Sequence, residues 1–226
     1  MTIGNKKYLI AFLIAAAIFF SAFLVSNYFN QKRIDNIRNI EKKISTNILS
    51  LETQFELLQD ASCKYIKENP VLSKELNSLA QKLSYTESQL GTDNPRVIKL
   101  KKSYSLLEIK DYLLMKKVDQ KCKTDPVFTL YFYSNRDDCP ECEQMGHILT
   151  HLRKNYPKLR VYSFDYHLNL SALKTLISIK NVEHDLPAIV VDGEVMHGFH
   201  SLEQVKEKLP MEKIKENTTS TNPVGR

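Results

Sequence analysis

Residues 125–142 read DPVFTLYFYSNRDDCPEC, and this stretch decides the fold. Its apolar part, residues 127–134, is rich in β-branched and aromatic residues on both faces, which is typical of an interior strand. A polar turn separates this strand from the sequence CPEC at residues 139–142, and an amphipathic helix is expected from there to about Asn155. Two cysteines three residues apart, at the junction of a strand and a helix, can form a disulfide or bind a metal ion.

The sequence after residue 155 continues the alternation of strands and helices. Apolar runs predict strands over residues 160–165, 188–191 and 194–197, and helical periodicity predicts helices over residues 171–180 and 201–209. Leu186-Pro187 precedes the second of these strands, and Asp192-Gly193 favours a hairpin turn after it. We therefore predict an α/β domain over residues 124–210, with a central mixed sheet flanked by helices, and a disordered tail over residues 211–226.

This order of elements resembles the thioredoxin superfamily over residues 125–209, less than half of the chain. Two features carry the resemblance: a strand that leads through CPEC into a helix, and a proline just before a β-hairpin. The resemblance implies a thioredoxin-like fold, a cis peptide bond at Pro187 facing the cysteines, and exchange with protein disulfides without a diffusible cofactor. The implied site comprises the nucleophile, the resolving cysteine, the turn between them and the substrate-binding loop, namely Cys139, Cys142, Pro140-Glu141 and Leu186-Pro187.

Charged residues around the cysteines set this chain apart from the thioredoxin pattern. The helix dipole favours a thiolate on Cys139. Two positions depart from the family: thioredoxins carry an aromatic residue where this chain has Asp138, and a buried acid where it has Tyr133. Glu183, Asp185 or an ordered water could replace that acid. Nearby anions disfavour a thiolate, and four acids surround the pair: Asp137, Asp138, Glu141 and Glu143. We therefore predict a reducing or isomerising couple, well below the about −120 mV of strong oxidants.

A metal site is the alternative for the same cysteines. Cys139, Cys142, His147 and His151 could supply four ligands, and the two histidines share one helix face. Cys142 and His147 do not share a face, and a zinc finger needs a longer gap between its ligand pairs. We expect no bound metal, and we expect the other histidines to lie on the surface or in the hairpin: His167, His184, His197 and His200.

The amino-terminal segment is predicted to be a membrane anchor over residues 1–30. Residues 8–25 carry no charge, and a helix of this length can cross the hydrocarbon core of a bilayer. The apolar run ends at Ser26-Asn27-Tyr28, a poor cleavage site for a signal peptidase, so we favour an uncleaved anchor. Counting cations alone would keep the C-terminal part in the cytoplasm, because more of them follow the run than precede it. The short N-terminal tail with Lys6-Lys7 is instead typical of a signal anchor, and long domains can translocate despite their charge. The cysteines favour an extracytoplasmic C-terminal domain.

The middle segment, residues 31–123, is predicted to be an all-α, coiled-coil-like spacer. Apolar residues recur at steps of three or four, which predicts three helices: one from residue 34 that ends at Asn69-Pro70, one from Val71 that Gly91 stops, and one from Pro95 to Cys122. A docking or dimerisation surface is the alternative. Cys63 and Cys122 lie near the C-terminal ends of the first and third predicted helices, and we expect them to form a structural disulfide. Two buried thiols or a second redox pair are the alternatives.

The charge distribution argues against nucleic-acid binding. The net charge is +6, but the middle segment mixes 18 Lys and Arg with 12 Asp and Glu, and residues 124–226 are slightly acidic. These observations favour a membrane-tethered thiol–disulfide oxidoreductase that acts on protein thiols and disulfides and receives electrons from an unspecified donor. The alternative is a membrane-anchored adaptor that uses the helical segment and a thioredoxin-fold docking module without turnover.

Overall fold

The computed structural model describes residues 3–68 and 71–214, and it divides into two compact units, Met1–Thr46 and Asn47–Arg226. Helix α1, Ile3–Asp60, contains all described residues of the first unit. It includes an exposed 20-residue stretch, Ile10–Phe29, with a mean hydropathy of 2.2. This stretch is long and apolar enough to span a membrane, and signal sequences meet the same criterion.

Helix α1 differs from the sequence-based prediction at both of its predicted boundaries. A separate helix was expected from residue 34, but the structure contains one helix from Ile3 to Asp60. The reason is composition, since residues 5–69 contain neither Gly nor Pro to interrupt a helix. A second short helix, α2, covers Cys63–Glu68. The predicted end at Asn69-Pro70 lies outside the described residues.

Helices α3 and α4 begin and end at the predicted residues, Val71–Leu90 and Pro95–Cys122. Gly91 has φ +85°, a conformation that favours glycine, and it ends α3. The Arg96 N–H donates to Asn94 Oδ1 at 3.0 Å and so caps α4, with Pro95 in the first turn. The two helices pack against each other through buried apolar side chains, including Leu79 and Val97.

The second unit contains a four-stranded mixed sheet flanked by helices, as predicted. Strand β1 (Val127–Tyr133) pairs in parallel with β2 (Leu159–Asp165) and antiparallel with β3 (Ala188–Val191), which pairs antiparallel with β4 (Glu194–His197). The strand order is therefore β2-β1-β3-β4. The central position of β1 explains why its residues are apolar on both faces.

Two apolar clusters fill the two faces of this sheet. On one face, β1 residues such as Tyr131 pack with α5 (Cys142–Asn155), α7 (Leu202–Lys208) and α8 (Met211–Ile214). On the other face, Phe132 packs with α6 (Ser171–Lys180) and with Tyr112 of α4. Neighbouring strand residues point to opposite faces, so β1 supplies both clusters.

Helix α4 also covers the outer edge of the sheet at β2. The Ser163 N–H donates to Glu108 Oε2 at 3.3 Å, and the Tyr162 hydroxyl donates to Asp111 Oδ2 at 2.6 Å. Lys101 pairs with Asp165 at 3.6 Å. These contacts join the predicted helical spacer, residues 31–123, to the predicted α/β domain, residues 124–210. The division of the chain into these two domains remains a prediction.

The predicted disordered tail is wrong at its start. Residues Met211–Ile214 form helix α8, and Ile214 is buried in the core with 1% of its surface exposed. The charged neighbours Glu212 and Lys213 concealed this apolar contact in the sequence. Residues 215–226 lie outside the described part of the chain.

Candidate functional site

The two cysteines of CPEC form a disulfide at the entrance of α5. Cys139 and Cys142 have Cα atoms 5.4 Å apart and side chains that are 7% and 5% exposed. Helix α5 begins at Cys142, so Cys139 lies in the turn before the helix, three residues ahead of the helix N-terminus at which the sequence placed it. The Cys142 N–H donates to the Cys139 carbonyl at 3.2 Å, which closes the turn around Pro140 and Glu141.

Strand β1 and the residue that follows it hold Cys142 in place. The Ser134 N–H donates to Cys142 Sγ at 3.4 Å, and the Tyr131 hydroxyl donates to the Cys142 carbonyl at 2.5 Å. A donated N–H stabilises negative charge on a sulfur atom. The pair also borders a pocket of about 430 Å³, whose lining is mostly polar and aromatic: Tyr131, Tyr133, Ser134, Asn135, Arg136, Cys139, Pro140, Cys142 and Glu143.

The register of the sheet places the predicted substrate-binding loop at the same edge as the disulfide. Phe132 pairs with Ala188, so Pro187 comes level with the end of β1, from which the CPEC turn departs. The Leu186–Pro187 peptide bond is cis, and Pro187 is buried. Leu186 and Pro187 are not part of the lining of the 430 Å³ pocket.

The acids near the disulfide are exposed, and one of them is hydrogen-bonded. Asp137, Glu141 and Glu143 face solvent. A hydrogen bond from the Ser134 side chain, followed by the contact with His167, holds the pKa of the Asp138 carboxyl below its usual value. Asp138 is therefore an anion at neutral pH, and it directly precedes Cys139.

A buried acid does lie behind Tyr133, but it comes from helix α4. Tyr133 lines the pocket at the disulfide, and it also lines a second pocket of about 330 Å³ that contains Glu108, Tyr104 and Lys101. Burial raises the pKa of Glu108 to about 8, although Ser163 and Tyr104 donate hydrogen bonds to its carboxylate. The proposed substitutes Glu183 and Asp185 are both exposed. Sequence spacing could not identify Glu108, because it lies outside the thioredoxin-like segment.

We expect Glu108→Gln to flatten the pH dependence of stability between about pH 5 and 8. A carboxyl with a raised pKa binds more protons in the folded state, so the free energy of unfolding falls as pH rises, by up to about 1.4 kcal/mol per pH unit. Glutamine removes this contribution and keeps one acceptor oxygen. Urea denaturation of the full chain at several pH values measures the effect.

The variant should then match the wild type near pH 5 and exceed it near pH 8.5. Glu143→Gln is the matched control, because Glu143 is exposed on α5, and it should leave the slope unchanged. A residual slope is expected from Asp111, whose pKa burial also raises. An unchanged slope in Glu108→Gln would show that this carboxyl titrates normally.

The four residues considered from the sequence as metal ligands do not come together as a site in the described part of the chain. Cys139 and Cys142 are bonded to each other, His147 pairs with Glu143 at 3.7 Å, and Asn155 donates to the His151 carbonyl at 2.8 Å. Within residues 3–68 and 71–214, a different group comes together, formed by Asp138, His167 and His184. Sequence reasoning missed this group because its members lie in three separate loops.

The other two cysteines form a second disulfide. Cys63 and Cys122 join the start of α2 to the end of α4, with Cα atoms 5.4 Å apart. The sequence placed Cys63 near the end of the first helix, but α1 ends three residues earlier, and this break brings Cys63 level with Cys122. Lys121 Nζ donates to the Ala61 carbonyl at 3.1 Å beside the bridge.

The two features on which the predicted thioredoxin-like resemblance rests are both present in this segment of the chain, namely the CPEC cysteines at the junction between β1 and α5 and a proline just before the β3–β4 hairpin. No protein-family model matches the sequence, and the search of curated proteins found no match. Among solved structures, the chain is similar to thioredoxin O2 from Arabidopsis thaliana in its oxidized state, at 19% identity and a TM-score of 0.31. The match covers 38% of this chain and 73% of that chain.

Proposed function

We propose that this protein is a membrane-tethered thiol–disulfide oxidoreductase that exchanges the Cys139/Cys142 dithiol with disulfides in other proteins. The observation that carries the proposal is the disulfide in the turn before α5, beside a pocket at the sheet edge. Two sulfur atoms at this position can accept and return two electrons without a diffusible cofactor.

The exchange proceeds in two thiol–disulfide exchange steps. The Cys139 thiolate attacks one sulfur of a substrate disulfide, forms a mixed disulfide and releases the other substrate sulfur as a thiolate. The Cys142 thiolate then attacks Cys139, releases the second substrate thiolate and leaves the Cys139–Cys142 disulfide. The hydrogen bond from the Ser134 N–H to Cys142 Sγ stabilises the attacking thiolate in this second step.

Substrate proteins would bind at the sheet edge shared by the CPEC turn and the loop before β3. Proline has no N–H, and the backbone at Leu186 would pair with an extended substrate segment that carries the disulfide. The 430 Å³ pocket beside the cysteines would receive an adjoining substrate side chain.

We infer that the couple acts in the reducing or isomerising direction and that the domain is extracytoplasmic. The anions at Asp137, Asp138, Glu141 and Glu143 oppose a thiolate, so they favour the disulfide over the dithiol and lower the reduction potential. The apolar stretch Ile10–Phe29 supports a tether, and the Cys63–Cys122 disulfide supports an oxidising compartment.

Thiol trapping in intact cells tests direction and sidedness together. Cells that express the chain are treated with a membrane-impermeant alkylating reagent, with and without prior reduction. We expect Cys139 to be labelled without reduction, and Cys63 and Cys122 only after reduction and unfolding. Labelling that requires permeabilisation would place the domain in the cytoplasm, and a resting Cys139–Cys142 disulfide would contradict a reductase.

A further inference from the structure

Three side chains with metal-binding chemistry meet beside the CPEC turn. They are Asp138 from the loop after β1, His167 from the loop after β2, and His184 from the segment before β3. Each offers one ligand atom, and these atoms lie within 4.8 Å of one another. Asp138 Oδ2 and His167 Nε2 are 2.8 Å apart, and the rings of His167 and His184 have centroids 5.0 Å apart.

Sheet topology explains why these residues meet. Asp165 at the end of β2 pairs with Tyr133 at the end of β1, and Ala188 at the start of β3 pairs with Phe132. The three loops therefore lie at the same end of the strands. None of the three residues is close to another in sequence, so their meeting is a product of the fold rather than of a local turn.

Supporting contacts hold the group in place. The backbone N–H of His167 donates to Asp165 Oδ1 at 3.2 Å, and the backbone N–H of Tyr166 donates to the Tyr133 carbonyl at 2.8 Å, so both bonds fix the course of this loop. The Tyr166 ring contacts the His184 ring edge-on, with centroids 5.3 Å apart. Ligands that are oriented by neighbouring groups lose less conformational freedom when a metal binds.

We propose that Asp138, His167 and His184 form a binding site for a late first-row divalent cation, Zn²⁺ or Cu²⁺. Two imidazole nitrogens and one carboxylate oxygen suit these ions, whereas Mg²⁺ and Ca²⁺ prefer oxygen ligands alone. Metal–ligand bonds of about 2.0–2.2 Å require the three atoms to draw closer together. His184 is exposed and can make this movement by a change of rotamer.

Three protein ligands leave the fourth position of a tetrahedral zinc site to water. His167 is 16% exposed and Asp138 36% exposed in their side chains, so the ligands are accessible to an ion without unfolding. The ligand set contains neither cysteine, and binding therefore does not depend on the proposed disulfide exchange.

The test measures metal binding directly in the full chain, solubilised in detergent, with its purification tag removed and both disulfides intact. Oxidised protein is stripped with a chelator and dialysed against ZnCl₂, and bound zinc is counted by mass spectrometry. We expect one zinc ion per chain, and a loss of affinity of at least about tenfold in His184→Ala, since even outer partners of a ligand change affinity by about 10–100-fold. His184 is exposed, so this variant should fold.

His147→Ala and His151→Ala are the matched controls, because both histidines are exposed on α5 and lie outside the group. They should leave the stoichiometry and affinity unchanged. Electron paramagnetic resonance of the Cu²⁺-loaded chain adds a second readout, with hyperfine coupling to two nitrogens expected in the wild type and to one in His184→Ala. Equal zinc binding by wild type and His184→Ala, or no binding by either, would overturn the proposal.

Discussion

Replacing Cys139 by serine is expected to abolish the reduction of a protein disulfide, with a fall in rate of at least about a thousandfold. Serine cannot form a mixed disulfide, and Cys142 is held against the end of β1 by the Ser134 N–H and the Tyr131 hydroxyl, so we expect it not to take over the attack. The assay follows the reduction of insulin by the full chain in detergent, with dithiothreitol as the electron donor.

Cys142→Ser should fail differently from Cys139→Ser. Cys139 can still attack the substrate, but nothing releases it, so a covalent complex with the substrate accumulates and is seen on a non-reducing gel. His151→Ala is the matched control, because this exposed residue of α5 contacts Asn155 and is not part of the lining of the pocket at the cysteines. A wild-type chain that shows no turnover while it binds a partner would favour the adaptor instead.

Replacing both Cys63 and Cys122 by serine is expected to lower the free energy of unfolding by about 4 kcal/mol. The disulfide closes a loop across a sequence separation of 59 residues, and the chain-entropy relation gives this magnitude for a loop of that length. Urea denaturation of the full chain, followed by circular dichroism, compares the variant with the oxidised wild type.

The same double variant separates a structural bridge from a redox relay. A structural bridge predicts a lower unfolding midpoint with an unchanged rate of insulin reduction at a temperature where the variant is folded. A relay predicts a slower recycling of Cys139 and Cys142 with a change in stability below about 1 kcal/mol. If the variant loses insulin-reducing activity at a low temperature where it is folded, as well as stability, the bridge is not purely structural.

Local sequence patterns predicted the elements of the thioredoxin-like segment, and this success has a physical reason. Residues 127–134 are apolar on both faces because β1 lies in the interior of the sheet, with β2 on one side and β3 on the other. The start of α4 is likewise encoded locally, because Asn94 caps the helix and Pro95 occupies its first turn. Signals of this kind are contained in a few consecutive residues and can be read without knowing the tertiary structure.

The contacts that complete the site depend on long-range packing and could not be predicted. Glu108 meets Ser163 across 55 residues, and nothing in the α4 pattern distinguishes this glutamate from an exposed one. His167 and His184 carry no ligand spacing, because the fold rather than the sequence brings them to Asp138. Helix α8 was missed because its buried residue, Ile214, is surrounded by charged residues.

The carboxylate of Glu108 also has a consequence for self-association. A strand at the border of a sheet offers unpaired N–H groups, and these can recruit a strand from another molecule and begin aggregation. At β2 the Ser163 N–H is already taken by Glu108, and α4 covers the strand along Arg160, Tyr162 and Ser163. The helical segment thus shields one border of the sheet from unwanted strand pairing between neighbouring molecules.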